Sequence, residues 1–281
     1  MYKAFFTLLL LSLSLSAAPN HNPDQSVDFK KTSKDTLQLH FFFPEDYKKD
    51  DGKTRPAIVF FFGGGWSGGS PKQFYPFSRL LADKGMIAIS AQYRTKKSHA
   101  VQPSECIKDG KSAIRWVRAH AKDYGIDPNM IAAGGGSAGG HVAASTATST
   151  KLEEMDEDKS ISSRPNLLVL CNPVVDNSEQ GYGYDRVKDY WKDFSPLHNI
   201  DDQTPNSIFF LGSKDRLIPL STGEAWDKKI KSMGKDSELH VWEGQAHGFF
   251  NYKANQENGG EIFQDLANKM VAFLAKNGYI K

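Results

Sequence analysis

Two stretches of the chain set a serine in the pattern Gly-x-Ser-x-Gly: Gly65-Trp-Ser67-Gly-Gly69 and Gly135-Gly-Ser137-Ala-Gly139. A serine hydroxyl becomes a nucleophile when a strained turn between strand and helix presents it, with small neighbours and a base within reach. Ser137 has that setting. Residues 130–133 read as a short buried strand, Gly135, Gly136, Gly139 and Gly140 clear space, and the small-residue run 139–148 predicts a helix that starts at once. Ser67 is followed by Gly68, Gly69, Ser70 and Pro71, which delay any helix, so Ser137 is the expected nucleophile. The same glycines spell Gly134-x-Gly136-x-x-Gly139, the form of a dinucleotide-binding turn, with Glu154 or Asp156 about 20 residues on. That fingerprint normally opens the first strand-helix-strand unit. Here several strands and helices precede it, and no cofactor is expected.

A serine needs a base to take its proton, and the base needs an acid to fix its tautomer and stabilise the imidazolium. Chain order is the test: on a sheet of alternating strands and helices the acid comes after the serine and the histidine after the acid, each on a loop after a strand. Asp215 lies in Gly212-Ser-Lys-Asp215-Arg-Leu-Ile-Pro219, after the apolar run 207–211. His247 lies in Glu243-Gly-Gln-Ala-His247-Gly-Phe-Phe250, after the run 239–242. Both meet the test. Asp176, after the run 166–175, is the rival for the acid, and the residues around Asp215 favour the latter. His120 and His141 fall on predicted helices and His240 inside a strand, where they read as structural or surface residues.

Acyl transfer also needs N–H donors for the oxyanion. The run Gly63-Gly64-Gly65, at the end of the strand 57–62, supplies Gly64 and Gly65, and Ala138, next to the serine, supplies the third amide. Positioning these groups is the task of the remaining elements. Strands are predicted at 36–43, 57–62, 86–93, 130–133, 166–175, 207–211 and 239–242, and helices at 74–82, 104–124, 139–148, 221–233 and 261–276. Ser221 and Glu224 have capping-box spacing for the fourth helix. This alternation predicts an α/β fold, a mostly parallel sheet covered on both faces, with reacting groups at the carboxyl ends of the strands. The polar stretch 176–204, which carries Tyr182, Tyr184, Tyr190, Trp191 and Phe194, is the candidate lid.

The segments Phe62-Gly63-Gly64-Gly65-Trp66, Tyr93-Arg94, Gly125-Ile-Asp-Pro128, Gly136-Ser137-Ala-Gly-Gly-His141 and Gly212-Ser-Lys-Asp215 together resemble the acetylxylan/feruloyl esterase-like carboxylesterases of the α/β-hydrolase superfamily. The resemblance covers almost the whole chain beyond its first eighteen residues. It implies the α/β-hydrolase fold and hydrolysis of short acyl esters, acetyl above all, on polysaccharides or oligosaccharides. It implies a small ester or acylated polysaccharide as partner, with the aromatics of the lid available to stack on sugar. One departure stands out: the family usually has His before the three glycines, and this chain has Phe62, so support of the oxyanion loop must differ. A peptidase of the same fold commonly carries an extra gating domain, for which this chain has no room, and an inactive binding scaffold would show a broken triad.

At 281 residues, 39% hydrophobic and 24% charged, the chain suits one globular domain over 19–281. A net charge of +2 with both signs interspersed offers no stripe for nucleic acid. Lys3, the apolar run 4–15 and the small residues Ser16, Ala17 and Ala18 predict a cleavable signal peptide over 1–18 and a secreted or periplasmic protein. The run is shorter than the about 20 residues of a membrane span, no Cys follows it to accept a lipid, and no span is expected in the mature chain. Cys106 and Cys171 are expected as two packed thiols, and no metal site is implied.

Overall fold

A computed structural model describes residues 21–253 and 255–281; the predicted signal peptide lies outside the described residues. The chain runs β1 (Gln25–Lys31), β2 (Thr36–Phe42), β3 (Arg55–Phe61), α1 (Tyr75–Ala82), β4 (Ile87–Ala91), α2 (Lys96–His99), α3 (Pro103–Ala119), β5 (Ile126–Gly136) and α4 (Ala138–Thr148). It continues β6 (Leu167–Cys171), α5 (Tyr184–Val187), α6 (Trp191–Phe194), β7 (Ser207–Gly212), α7 (Leu220–Ser232), β8 (Ser237–Trp242) and α8 (Glu261–Lys276). All eight strands form one sheet in the order β1-β2-β4-β3-β5-β6-β7-β8. The pairs β1–β2 and β2–β4 are antiparallel, and every pair from β4 to β8 is parallel.

The two-residue repeat of the strands sorts their side chains into two cores. Val59, Phe61, Ile89, Ala133, Leu170 and Phe209 face α3, α4 and α7. Phe60, Ala88, Ala132, Val169 and Phe210 face α1 and α8. Because both faces are covered, the central parallel strands β3, β4, β6 and β7 read as largely apolar runs, whereas the edge strand β8 is part-exposed.

Three expectations change. β1 was unforeseen, because an edge strand with the sequence QSVDFKK is largely solvent-facing and has no apolar run to reveal it. β6 stops at Cys171 rather than Val175: Asn172 takes φ 33°, and the chain leaves the sheet there. The Ser221 capping box is absent, since α7 starts one residue earlier, behind Pro219, and has no side-chain cap. Cys106, on α3, and Cys171, at the end of β6, are separate buried thiols.

The stretch 176–204 is fastened to the body. Asn177 N–H donates to Ser195 Oγ at 2.9 Å and Leu197 N–H to the Val175 carbonyl at 2.8 Å. Phe194, fully buried, packs on Trp66 and His141, which closes it to any sugar.

Candidate active site

Strand β5 passes into α4 through Ser137 alone, and that residue takes φ 54° and ψ −122°, a conformation that costs about 1–3 kcal/mol for a residue with a side chain. The surrounding glycines make the turn possible. A Cβ on Gly139 would overlap the carbonyl oxygens of Phe61 and Phe62, so β3 and the turn approach backbone to backbone. Hydrogen bonds from the far side complete the clamp: Ser137 N–H donates to the Cys171 carbonyl at 3.0 Å, and Val174 N–H to the Ser137 carbonyl at 3.1 Å.

The hydroxyl raised by this turn meets two other loops. Ser137 Oγ lies 2.9 Å from His247 Nε2, and His247 Nδ1 lies 2.7 Å from Asp215 Oδ2. The partners fix the tautomer, with Nδ1–H donating to the carboxylate and Nε2 accepting from the serine. Asp215 Oδ1 accepts the N–H groups of Leu217 at 2.8 Å and Ile218 at 3.0 Å, so the carboxylate is held by its own loop and cannot turn away. Its side chain has no exposed surface, while that of His247 keeps 23%. Asp176 is elsewhere engaged: its Oδ1 accepts the Ser178 N–H and lies near His198.

The glycine loop 63–65, expected to receive the oxyanion, lies against this turn. A Cβ on Gly63 would stand 3.3 Å from Ser137 Cβ and 2.9 Å from the Gly136 carbonyl oxygen. Gly64 and Gly65 have φ of 130° and 61°, which glycine adopts without steric cost. The N–H groups of Gly64, Gly65 and Ala138 have no acceptor among the described residues. Gly63 N–H, by contrast, donates to Gln73 Oε1 at 2.6 Å.

Three contacts stand where the family's usual histidine would support this loop. Phe62 stacks on Tyr93 with centroids 4.1 Å apart, and Tyr93 Oη donates to the Phe62 carbonyl at 2.5 Å. Gln73, which holds Gly63, donates through Nε2 to Asn251 Oδ1 at 2.9 Å, and Asn251 Nδ2 donates to the Gly248 carbonyl, next to His247. Arg186, from α5, donates to the Gly65 carbonyl at 2.9 Å. Sequence reasoning placed Tyr93 within a motif and gave it no role; it missed Gln73, Arg186 and Asn251, which carry no local pattern.

Asn172 was also missed. It is buried, and its Nδ2 lies 3.1 and 3.2 Å from the two ring nitrogens of His247. Asp215 and Ser137 occupy the in-plane directions of those nitrogens, so the amide stands over the imidazole face. His141 is structural: Nε2–H donates to the Phe194 carbonyl at 3.0 Å, and Nδ1 accepts Trp66 Nε1–H at 3.3 Å. Both contacts suit the neutral ring, and burial holds its pKa down at about 3. Among the described residues no group of three or more His, Cys, Asp or Glu side chains could hold a metal ion, and no helix is long and apolar enough to cross a membrane.

Comparison with known proteins supplies the context. The family described as BD-FAE matches residues 45–180, and the dienelactone hydrolase family matches residues 173–277. Esterase LipC of Mycobacterium tuberculosis is 27% identical over 231 residues, which cover 72% of this chain and 56% of that protein. The acetylxylan esterase of Xylanibacter ruminicola is 27% identical over 288 residues, 95% of this chain and 54% of that protein. The chain thus spans about half the length of the curated relatives it matches. Among solved structures, the apo form of Thermogutta terrifontis esterase 2 is 39% identical with a TM-score of 0.87, covering 95% of this chain and 99% of that one. That esterase has also been solved with propionate bound, with butyrate bound and after phosphorylation by paraoxon.

Proposed function

This chain belongs to the α/β-hydrolase carboxylesterases, and from that membership we propose that it is a serine esterase cleaving short-chain acyl esters, acetyl foremost, on sugars or polysaccharides. The observation that carries the reading is the continuous path from Ser137 Oγ through His247 to Asp215, beside three backbone amides without acceptors among the described residues. In the first step His247 Nε2 takes the hydroxyl proton as Ser137 Oγ attacks the acyl carbonyl. The oxyanion is received by the N–H groups of Gly64, Gly65 and Ala138. His247 then returns the proton to the departing alcohol, leaving Ser137 acylated. Water repeats the route and frees the acid. Asp215 keeps Nδ1 protonated and stabilises the imidazolium in both steps.

Short acyl groups are favoured because the related esterase 2 has been solved with propionate and with butyrate. The acetylxylan esterase relative points to acetyl on xylan. Export, as secreted or periplasmic protein, is the reading of residues 1–18, checked by N-terminal sequencing of the mature protein. Released acid from acetylated xylan, acetylated pectin and methyl ferulate tests the substrate. Paraoxon tests the site, with inactivation at one equivalent and a diethylphosphoryl adduct on Ser137 expected by mass spectrometry. Adduct formation on another residue, or p-nitrophenyl acetate turnover that survives Ser137→Ala, would overturn the assignment.

A further inference from the structure

The second Gly-x-Ser-x-Gly stretch takes no part in the proton path, yet it forms one wall of an open cavity of about 500 Å³, within the range of small-molecule sites. Gly65, Trp66 and Ser67 make the wall next to the oxyanion loop, and Lys96, Asp185, Arg186 and Asp189 also line the cavity. These are two cations and two anions, and none of the four forms an ion pair with a side chain among the described residues. By contrast, Arg55, Arg79, Arg94, Arg115 and Arg164 each hold a carboxylate.

Unpaired charges of both signs around one space select against a charged guest, which would meet two repulsive partners for every two attractive ones. A neutral guest bearing hydroxyls satisfies all four, donating to the aspartates and accepting from Lys96 and Arg186. Val101 and Pro103 add apolar lining for the C–H face of a ring. We propose that this cavity is the subsite for the alcohol portion of the ester and takes a neutral sugar ring. The proposal rests on the esterase reading above. Arg186 links the subsite to the chemistry: it holds the Gly65 carbonyl at 2.9 Å, and its guanidinium carbon lies 4.8 Å from the Trp66 ring centroid and 5.0 Å from that of Tyr182. A sugar hydroxyl on its remaining N–H groups is therefore sensed at the loop that receives the oxyanion.

The test compares mono-O-acetyl methyl xyloside with p-nitrophenyl acetate in the full-length protein and in Lys96→Met, Asp189→Asn and Val101→Trp, the last of which fills the cavity. The ratio of kcat/KM for the sugar ester over p-nitrophenyl acetate is expected to fall about tenfold or more in each variant, the scale of one lost polar or steric match. Free methyl xyloside should compete with p-nitrophenyl acetate in the parent protein and cease to do so in Val101→Trp. Thermal midpoints confirm that each variant is folded. An unchanged ratio in all three folded variants overturns the subsite. So does a parent protein that cleaves p-nitrophenyl acetate but not the sugar ester, or one that prefers acetylcholine to it; in those cases the esterase reading survives. Failure to cleave any ester or to react with paraoxon instead removes the esterase reading itself.

Discussion

Ser137 and Ser67 each sit at the centre of a Gly-x-Ser-x-Gly pentapeptide, and their hydroxyls end in different places. Ser137 Oγ points to His247, whereas Ser67 Oγ donates to the Gly65 carbonyl two residues back, at 3.2 Å. The cause lies in the chain just beyond each serine. After Ser137 the helix α4 begins at the next residue, so the backbone must reverse within the serine itself. After Ser67 the chain continues through Gly68, Gly69 and Ser70 before a single helical turn at Pro71–Phe74, and the reversal is spread over Gly64, Gly65 and Trp66, all at positive φ. One turn presents a side chain and the other presents backbone amides. A nucleophile needs the first, an oxyanion loop the second.

The most direct way to break this comparison is to remove each hydroxyl in turn. Ser137→Ala should lower kcat for p-nitrophenyl acetate by about 10⁴-fold or more, while Ser67→Ala should leave it within about twofold, since a short bond to a neighbouring carbonyl on a part-exposed turn contributes about 1 kcal/mol or less. Equal losses from the two substitutions would erase the distinction. The glycines sharpen it. Gly139→Ala places a methyl group into the Phe61 and Phe62 carbonyls and should lower unfolding free energy by about 3 kcal/mol or prevent folding. Gly68→Ala meets only the Lys97 side chain, at 3.4 Å, at an ordinary φ, and should shift a denaturant midpoint little.

What the sequence disclosed obeys the same division. The positions of Ser137 and Asp215 were legible because each follows a buried strand, and buried strands of a parallel sheet announce themselves as apolar runs; that of His247 was legible from chain order after β8, a part-exposed edge strand. The glycines 63–65 were legible for the same reason as Ser137 and Asp215, just after the end of the buried strand β3. Gln73, Asn172, Arg186 and Asn251 were not, because their roles depend on contacts between loops far apart in the chain: Gln73 meets a residue 178 positions away and Arg186 one 121 positions away. The edge strand β1 was hidden by its polarity. Strand order and the loops just after the strands therefore reveal Ser137, Asp215 and His247 in the sequence, and the residues that brace them become visible only when the loops are assembled.

Gln73 tests the backbone-presenting half of the comparison. Its side chain accepts from Gly63 and donates to Asn251, so it joins the oxyanion loop to the loop that carries His247. Gln73→Met keeps the volume and removes both bonds. Loss of an oxyanion donor itself costs about 10²–10³ in kcat; loosening the loop that carries two of them should cost about tenfold, with KM nearly unchanged. If KM rises and kcat holds, Gln73 shapes substrate binding and the loop keeps its geometry unaided.

The smallest effect concerns the joint between the two turns, where Trp66 Nε1–H donates to His141 Nδ1 and His141 Nε2–H donates to Phe194. Protonating Nδ1 would set two donors face to face in a buried site, and burial lowers the His141 pKa from 6.5 to about 3. The unfolded chain then binds a proton that the folded chain refuses between those two values, so stability falls as pH falls through that window and is fully present above 6.5. From pH 7 to pH 5 the loss attributable to this ring is about 2 kcal/mol. His141→Gln offers a similar donor and acceptor without a titrating ring. Urea unfolding at both pH values should find the gap between parent and variant narrowing by that amount at pH 5; parallel curves would mean that His141 gains its proton in the folded protein as readily as in the unfolded one, and that the Trp66 contact gives way when it does.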